Sequence, residues 1–219
     1  MNFIDKNHNN KVFGLLLAAG ESTRMGTEKQ LLTVAGRSFI NRAIDGFLVS
    51  GADPIIIVLG HSFEKILEHI MTSDFGMPRA DFEKRVIIAR NEEYKKGQLS
   101  SIKCGLSLFL NKNQIDFFRG FMIQLIDRPM VGPRTFTTIL QSFASDGAQI
   151  LIPSFKNRRG HPACFSAGLI EEIVCLGEDA TLRDIINRHE KDVRHIAVDD
   201  PGIIQNIDTP EEYDKIKGA

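Results

Sequence analysis

Apolar residues fall into two alternating rhythms along most of the chain. Short, largely apolar runs occur over Val12–Leu17, Pro54–Gly60, Val86–Ala89, Phe121–Ile126 and Gln149–Ile152. Runs this short, bounded by polar or turn-forming residues, predict strands buried on both faces. The stretches between them carry apolar side chains at helical spacing. Phe39, Ile40, Ala43, Ile44 and Phe47 line one face of Arg37–Ser50; Phe63, Ile66, Leu67 and Ile70 do so in His61–Met71; Ile102, Leu106 and Phe109 in Leu99–Leu110. Each predicts a helix with one buried face. Pro133–Ala144 is expected to be helical too, with Pro133 suited to a first turn. Met77–Lys84, punctuated by Pro78, is expected at the surface.

Further on, Phe155–Phe165 predicts a hairpin or excursion carrying basic residues, and Leu169–Leu176 and Leu182–Arg188 predict helices. Val193–Val198 predicts a strand and Pro210–Lys217 a closing helix. Strands alternating with helices define an α/β chain: a single-domain, doubly wound, mostly parallel sheet over residues 12–219. The polar stretch 1–11 is expected to be a flexible N-terminus. Ligands on such sheets bind at the carboxyl ends of the strands. That rule puts the loop after Leu17, the Asn91–Gly97 loop and Asp127 on one rim.

Composition narrows the partners. With 42% hydrophobic and 25% charged residues over 219 positions, the chain is long enough for a substantial core. A net charge of −1 offers no basic field for nucleic acid. No apolar run approaches the roughly 18 residues of a membrane span. Cys104, Cys164 and Cys175 form no C-x-x-C pair, which argues against a disulfide framework or structural zinc and for a reducing cytoplasm.

The candidate chemistry gathers on the predicted rim. After Leu17 the chain breaks into a loop with Gly20, Ser22, Arg24, Gly26 and Lys29. Glycine lets the backbone approach an anion closely, Arg24 offers a bidentate fork, and Lys29 a compact charge. The pattern is neither a Walker loop nor a dinucleotide fingerprint. Asp127, at the end of its strand, either holds a hard cation through oxygen, Mg2+ above all, or caps the turn before Pro129; the neighbouring cations favour the metal. Asn206 and Asp208 alternate and would face one way in an extended segment, as further oxygen ligands. Thr209 with Glu211 or Glu212 also fits a helix cap. Asn91, Gly97, Ser100 and Ser101 could read a base edge or ribose, with Ser100 equally an N-cap. Lys156, Arg158, Arg159 and His161 suit an anionic acceptor or a solvated face. No nucleophile elbow or metalloprotease motif is present, and direct nucleotidyl transfer requires neither.

Several of these segments together resemble the molybdopterin cytidylyltransferase family, within the glycosyltransferase-A-like nucleotidyltransferases. They are Leu17-Ala-Ala-Gly-Glu-Ser-Thr-Arg-Met-Gly26 with Lys29, Asn91 with Gly97 and Ser100-Ser101, Asp127-Arg-Pro129, Arg159-Gly-His-Pro162, and Asn206-Ile-Asp-Thr-Pro210. The resemblance implies a Rossmann-like fold of the nucleotide-diphospho-sugar transferase type. It implies catalytic roles for Arg24, Lys29 and Asp127, and nucleotide contacts at Leu17, Ala18, Ala19, Gly20, Arg24, Lys29, Asn91, Gly97, Ser100 and Ser101. It implies acceptor contacts at Arg159, Gly160, His161 and Pro162, and metal ligands at Asp127, Asn206 and Asp208. Ala19, where guanylyl-transferring relatives carry glycine, points to CTP. The implied reaction is Mg2+-dependent transfer of CMP from CTP to the terminal phosphate of molybdenum-bearing molybdopterin, releasing pyrophosphate, with delivery to a xanthine dehydrogenase-type apo-enzyme. A sugar phosphate or other small phosphorylated acceptor is a nearby alternative; a non-catalytic cofactor carrier is another. Two departures stand out: Asn206 where the family usually has Asp, and Gly177-Glu-Asp-Ala-Thr-Leu-Arg183, which loses a glycine near the acceptor pocket.

Overall fold

The computed structural model describes residues 11–110 and 115–218. The expected flexible segment lies outside these except for Lys11, which opens the first strand, β1 (Lys11–Ala18). The remaining principal strands are β4 (Ile55–Leu59), β5 (Val86–Arg90), β6 (Phe118–Leu125), β7 (Ile150–Phe155) and β10 (Val193–Ala197). A short hairpin, β2 (Thr33–Val34) with β3 (Arg37–Ser38), stands apart from the main sheet. The helices are α1 (Phe39–Ser50), α2 (Phe63–Thr72), α3 (Arg79–Arg85), α4 (Gln98–Leu110), α5 (Pro133–Ser145), α6 (Ile170–Val174), α7 (Leu182–Arg188) and α8 (Pro210–Asp214).

The main sheet has eight strands. β1 sits between β4 and β6, parallel to both, and β5 continues in parallel beyond β4. The chain therefore builds outward from β1 on one side, then returns to build on the other. Its switch point lies between β1 and β6. The central strands are buried because helices cover both faces: β4 is fully buried along its length, as continuous Ile-Ile-Ile-Val-Leu requires. One core layer centres on Phe13, Leu15, Leu106 and Phe121, the other on Leu16, Ile44, Phe47, Ile57 and Phe136. Phe13 stacks on Phe109 with ring centroids 4.3 Å apart.

One expectation is corrected, and one of two open alternatives is selected. Met77–Lys84 is not merely surface: residues 79–85 form α3, and Phe82 is buried against the Phe75 ring, 4.5 Å between centroids. The Phe155–Phe165 hairpin is not an excursion. β8 (Arg158–Arg159) folds back on β7 through Lys156 and Asn157, both at positive φ, as a two-residue hairpin turn demands. The chain then enters the sheet as β9 (Ala163–Ser166), antiparallel to both β6 and β7. The sheet is mixed but mostly parallel, with β9 as its antiparallel inset. Among the described residues no helix is long and apolar enough to cross a membrane.

Candidate active site

β1 ends at Ala18, and the loop that follows turns at Ser22, whose φ is 55°, and at Gly26, φ 70°. The Ser22 carbonyl accepts from the N–H groups of Met25 and Gly26, and its hydroxyl from the Lys29 N–H at 3.3 Å. A short 3-10 turn, Lys29–Leu31, closes the loop and carries Lys29 inward. Across the switch point, the Ile126 N–H donates to the Leu17 carbonyl and extends the β1–β6 pairing, so Asp127 emerges beside the loop. The Asp127 carbonyl in turn accepts from the Ile207 N–H at 2.8 Å, which brings Asp208 to the same place. The α8 capping box fixes this segment from the other end. The Glu212 carboxylate accepts from the backbone N–H of both Asp208, 2.7 Å, and Thr209, 3.1 Å.

These elements enclose a crevice of about 320 Å³. Leu17, Ala19, Gly20, Arg24 and Lys29 line it from the loop, Gly97 and Ser101 from the third-strand side, and Asp127 and Asp208 from the far wall. Asp208 holds both cations: Lys29 Nζ lies 2.6 Å from one carboxylate oxygen and Arg24 3.1 Å from the other. Burial pushes the Asp208 carboxyl up, but Lys29 and Arg24 outweigh it and keep it below the usual carboxylate range. Asp127 behaves oppositely. Burial raises it, with Asp208 adding to the rise and Arg128 and Lys29 opposing it. Its nearest cation, Arg128 Nε, is 4.0 Å away, and Asp127 Oδ1 is buried with no hydrogen-bond partner.

A buried, unpartnered carboxylate oxygen is costly in a protein interior. Oxygen ligands in a hard pair are what Mg2+ takes, usually one or two carboxylates with water and phosphate completing the shell. Asp127 and Asp208 fit that demand. Among the described residues no group of three or more His, Cys, Asp or Glu side chains gathers to hold a metal, so the protein supplies at most this pair and its neighbours. Asn206 is not with them: it is exposed and lines a separate hollow.

Other expected residues divide similarly. Ala18 is fully buried in β1 and faces no crevice. Asn91 is buried, and its amide donates to the hydroxyls of Ser100 and Ser101, each at 2.9 Å, while its oxygen accepts from the Glu93 N–H. It braces the loop rather than lining the crevice. Ser100 lies inside the first turn of α4 and donates back to the Gly97 and Glu93 carbonyls, so it is not the N-cap residue. Gly97 adopts φ 99°, open only to glycine at low cost. Tyr94 and Gln98 also line the crevice and were missed, since neither belongs to a local motif.

The basic segment forms its own hollow of about 510 Å³ beside Asp127, lined by Arg128, Arg158, Arg159 and Lys215 with Gln205 and Asn206. Gly160, in contrast, is buried: a Cβ there would lie 2.4 Å from the Ile203 carbonyl. Pro162 is buried as well. The half-buried His161 ring approaches the Ile123 carbonyl at 3.4 Å, and burial, aided by the Arg128 charge, pushes its pKa down to about 4. The Arg159–Pro162 stretch thus places one arginine in the hollow and uses the remainder to pack that wall.

Among the described residues that line the crevice there is no His or Cys. Loop cations, an ion-paired Asp208 and an unpartnered Asp127 oxygen suit the class of α/β transferases that move phosphoryl or nucleotidyl groups by direct displacement. Residues 14–193 match the MobA-like NTP transferase domain, and the chain belongs to that family; it is a nucleotidyltransferase by class. It is 29% identical over 208 residues to nicotine blue oxidoreductase of Paenarthrobacter nicotinovorans, covering 92% of this chain and 94% of the relative. It is 26% identical over 215 residues to the purine catabolism protein PucB of Bacillus subtilis, covering 95% and 97%. The crystal structure of Rv0371c from Mycobacterium tuberculosis superposes with a TM-score of 0.72 at 25% identity, covering 94% of this chain and 97% of that one. A manganese complex of that mycobacterial protein has the same fold, with a TM-score of 0.70 at 22% identity, covering 95% and 98%.

Proposed function

We propose that the protein transfers CMP from CTP to the terminal phosphate of molybdenum-bearing molybdopterin, releasing pyrophosphate, with Mg2+ held by Asp127 and Asp208. The observation that carries this reading is the buried, unpartnered Asp127 oxygen beside Asp208, facing a glycine loop that presents Lys29 and Arg24. Lys29 and Arg24 hold the triphosphate oxygens. The loop backbone approaches the anion where Gly20 has no Cβ and nothing within 4 Å of one. A bound Mg2+ supplies charge neutralisation of the triphosphate during in-line displacement. An acceptor phosphate oxygen forms the new bond to the α-phosphorus as the bond to the bridging oxygen breaks, and pyrophosphate leaves.

Arg128, Arg158, Arg159 and Lys215 give the acceptor's anionic group its place beside the carboxylates. The preference for CTP rests on Ala19 in the family resemblance, and the pterin acceptor on the Arg159-Gly-His-Pro162 resemblance. That a fold relative forms a manganese complex is in keeping with a divalent ion in this reading. A reducing cytoplasm suits the three free cysteines. The test is pyrophosphate release with CTP, GTP, ATP and UTP, with Mg2+, with and without the loaded pterin. Release confined to CTP and dependent on the pterin supports the reading. Release driven by a sugar phosphate replaces the acceptor. No release under any pairing leaves a carrier, or the oxidoreductase class for which the Paenarthrobacter relative is named.

A further inference from the structure

Gln30 is buried, with 1% of its surface exposed, directly after Lys29 in the turn that closes the loop. Its amide nitrogen donates to the Ala18 carbonyl at 2.8 Å and to the Gly20 carbonyl at 3.1 Å. The carbonyl between them, Ala19, accepts from the His61 N–H at 3.0 Å. Successive carbonyls of the loop are thus all anchored to the body of the protein. In a trans peptide the C=O and the following N–H point opposite ways, and none of these peptides is cis. Anchoring those carbonyls therefore aims the N–H groups of Ala19, Gly20 and Glu21 away from the body. Among the described residues no acceptor answers them. Ala19 and Gly20 line the crevice that carries Lys29 and Arg24.

The Gln30 amide shows that this duty sets its orientation. Its oxygen is buried without a partner. Turning the amide over would set that oxygen against two carbonyl oxygens, so the unpartnered atom is the cost of keeping both donors on the loop.

We propose that Gln30 is the positioning residue of the anion loop: it holds the Ala18–Gly20 backbone so that consecutive N–H groups face a nucleotide's phosphates. The inference rests on the nucleotide reading of the crevice and adds a residue to it. Gln30 touches no substrate; it acts through the backbone it pins.

Gln30→Met keeps the length of the side chain and removes both donors, and Gln30→Asn keeps the amide but shortens its reach by a methylene. Binding of Mg-CTP, Mg-ATP and inorganic triphosphate to the full chain is measured by calorimetry. Amide hydrogen exchange at Ala19, Gly20 and Glu21 is followed without ligand, with strand β4 as the reference. The expected result for both variants is a Kd about tenfold or more weaker, the scale of one to two lost hydrogen bonds. Loop amides exchange faster while β4 is unchanged, which a general loss of stability would not produce. Equal affinity of wild type and variants overturns the role of Gln30 and leaves the nucleotide site standing. A wild type that binds none of the three ligands overturns both.

Discussion

Asp127 sets the terms at the scale of single residues. Its carboxyl is raised by burial, so the folded protein holds the charged form less easily than the unfolded chain does. The sign follows: this group's contribution to stability falls as pH rises through its ordinary and then its raised value. Asp127→Asn removes the buried charge, while Lys29 keeps Asp208 and Arg128 keeps its bond to the Ile203 carbonyl. Urea unfolding in chelator at pH 7 should show Asp127→Asn as more stable than wild type, by on the order of 1 kcal/mol. A variant clearly less stable would mean that the carboxylate serves packing instead of a ligand.

His161 gives the second test at this scale. Its folded pKa of about 4 lies below the ordinary 6.5, so the neutral ring is favoured in the fold. Stability from this group is complete above pH 6.5 and drains away as pH falls toward 4, on the order of 3 kcal/mol in all. His69, also lowered by burial, has the same sign. Unfolding curves at pH 7 and 5 should show His161→Gln losing less stability between them than wild type. An identical slope in both would remove His161 from the titration.

The grouping of residues that share a contiguous motif was legible in the sequence: Gly20, Arg24 and Lys29 share one loop, Asp127 follows a strand, and all four line one crevice. Gln30, Tyr94 and Gln98 were not, because their roles come from neighbours far along the chain or across a loop. Asn206 was misplaced because residue spacing alone does not say which of two neighbouring hollows a side chain lines. The segment leaves a 3-10 turn at Pro201–Ile204 and is pinned at Ile207 to the Asp127 carbonyl.

Among elements, the α8 cap shows how a short helix positions chemistry. The Thr209 hydroxyl accepts from the Glu212 N–H, and the Glu212 carboxylate reaches back to the N–H groups of Thr209 and Asp208. Thr209→Ala should lower stability by about 1 kcal/mol, the usual worth of an N-cap. Glu212→Ala should weaken metal binding as well, because it frees the Asp208 backbone. Thermal unfolding and Mn2+ titration separate these effects; unchanged Mn2+ affinity in Glu212→Ala would detach the cap from the site. The cap was readable as Thr-Pro-Glu-Glu, a local signature. β9 was readable only as a strand-like run after the Gly-His-Pro interruption; its place between β6 and β7, antiparallel to both, comes from the fold.

At the scale of the whole molecule, function follows from the order of the strands. Building outward from β1 in both directions opens a crevice at the carboxyl ends of β1 and β6, where α/β sheets bind ligands. The rim predicted from alternation alone, comprising the loop after Leu17, the Gly97 turn and Asp127, is the rim the fold assembles. The basic hollow beside it was legible only as a run of charge; its walls come from Arg128 after β6, from β8 and from the C-terminal segment, which meet in space and not in sequence.

The most direct measurement compares wild type with Asp127→Asn for pyrophosphate release from CTP in the presence of Mg2+ and molybdenum-loaded molybdopterin, with nucleotide binding followed in parallel. The account predicts pterin-dependent release by the wild type and a loss of roughly a hundredfold or more in the variant, which still binds CTP. Equal release by both proteins, or none by the wild type with any nucleotide and phosphorylated acceptor, would contradict it.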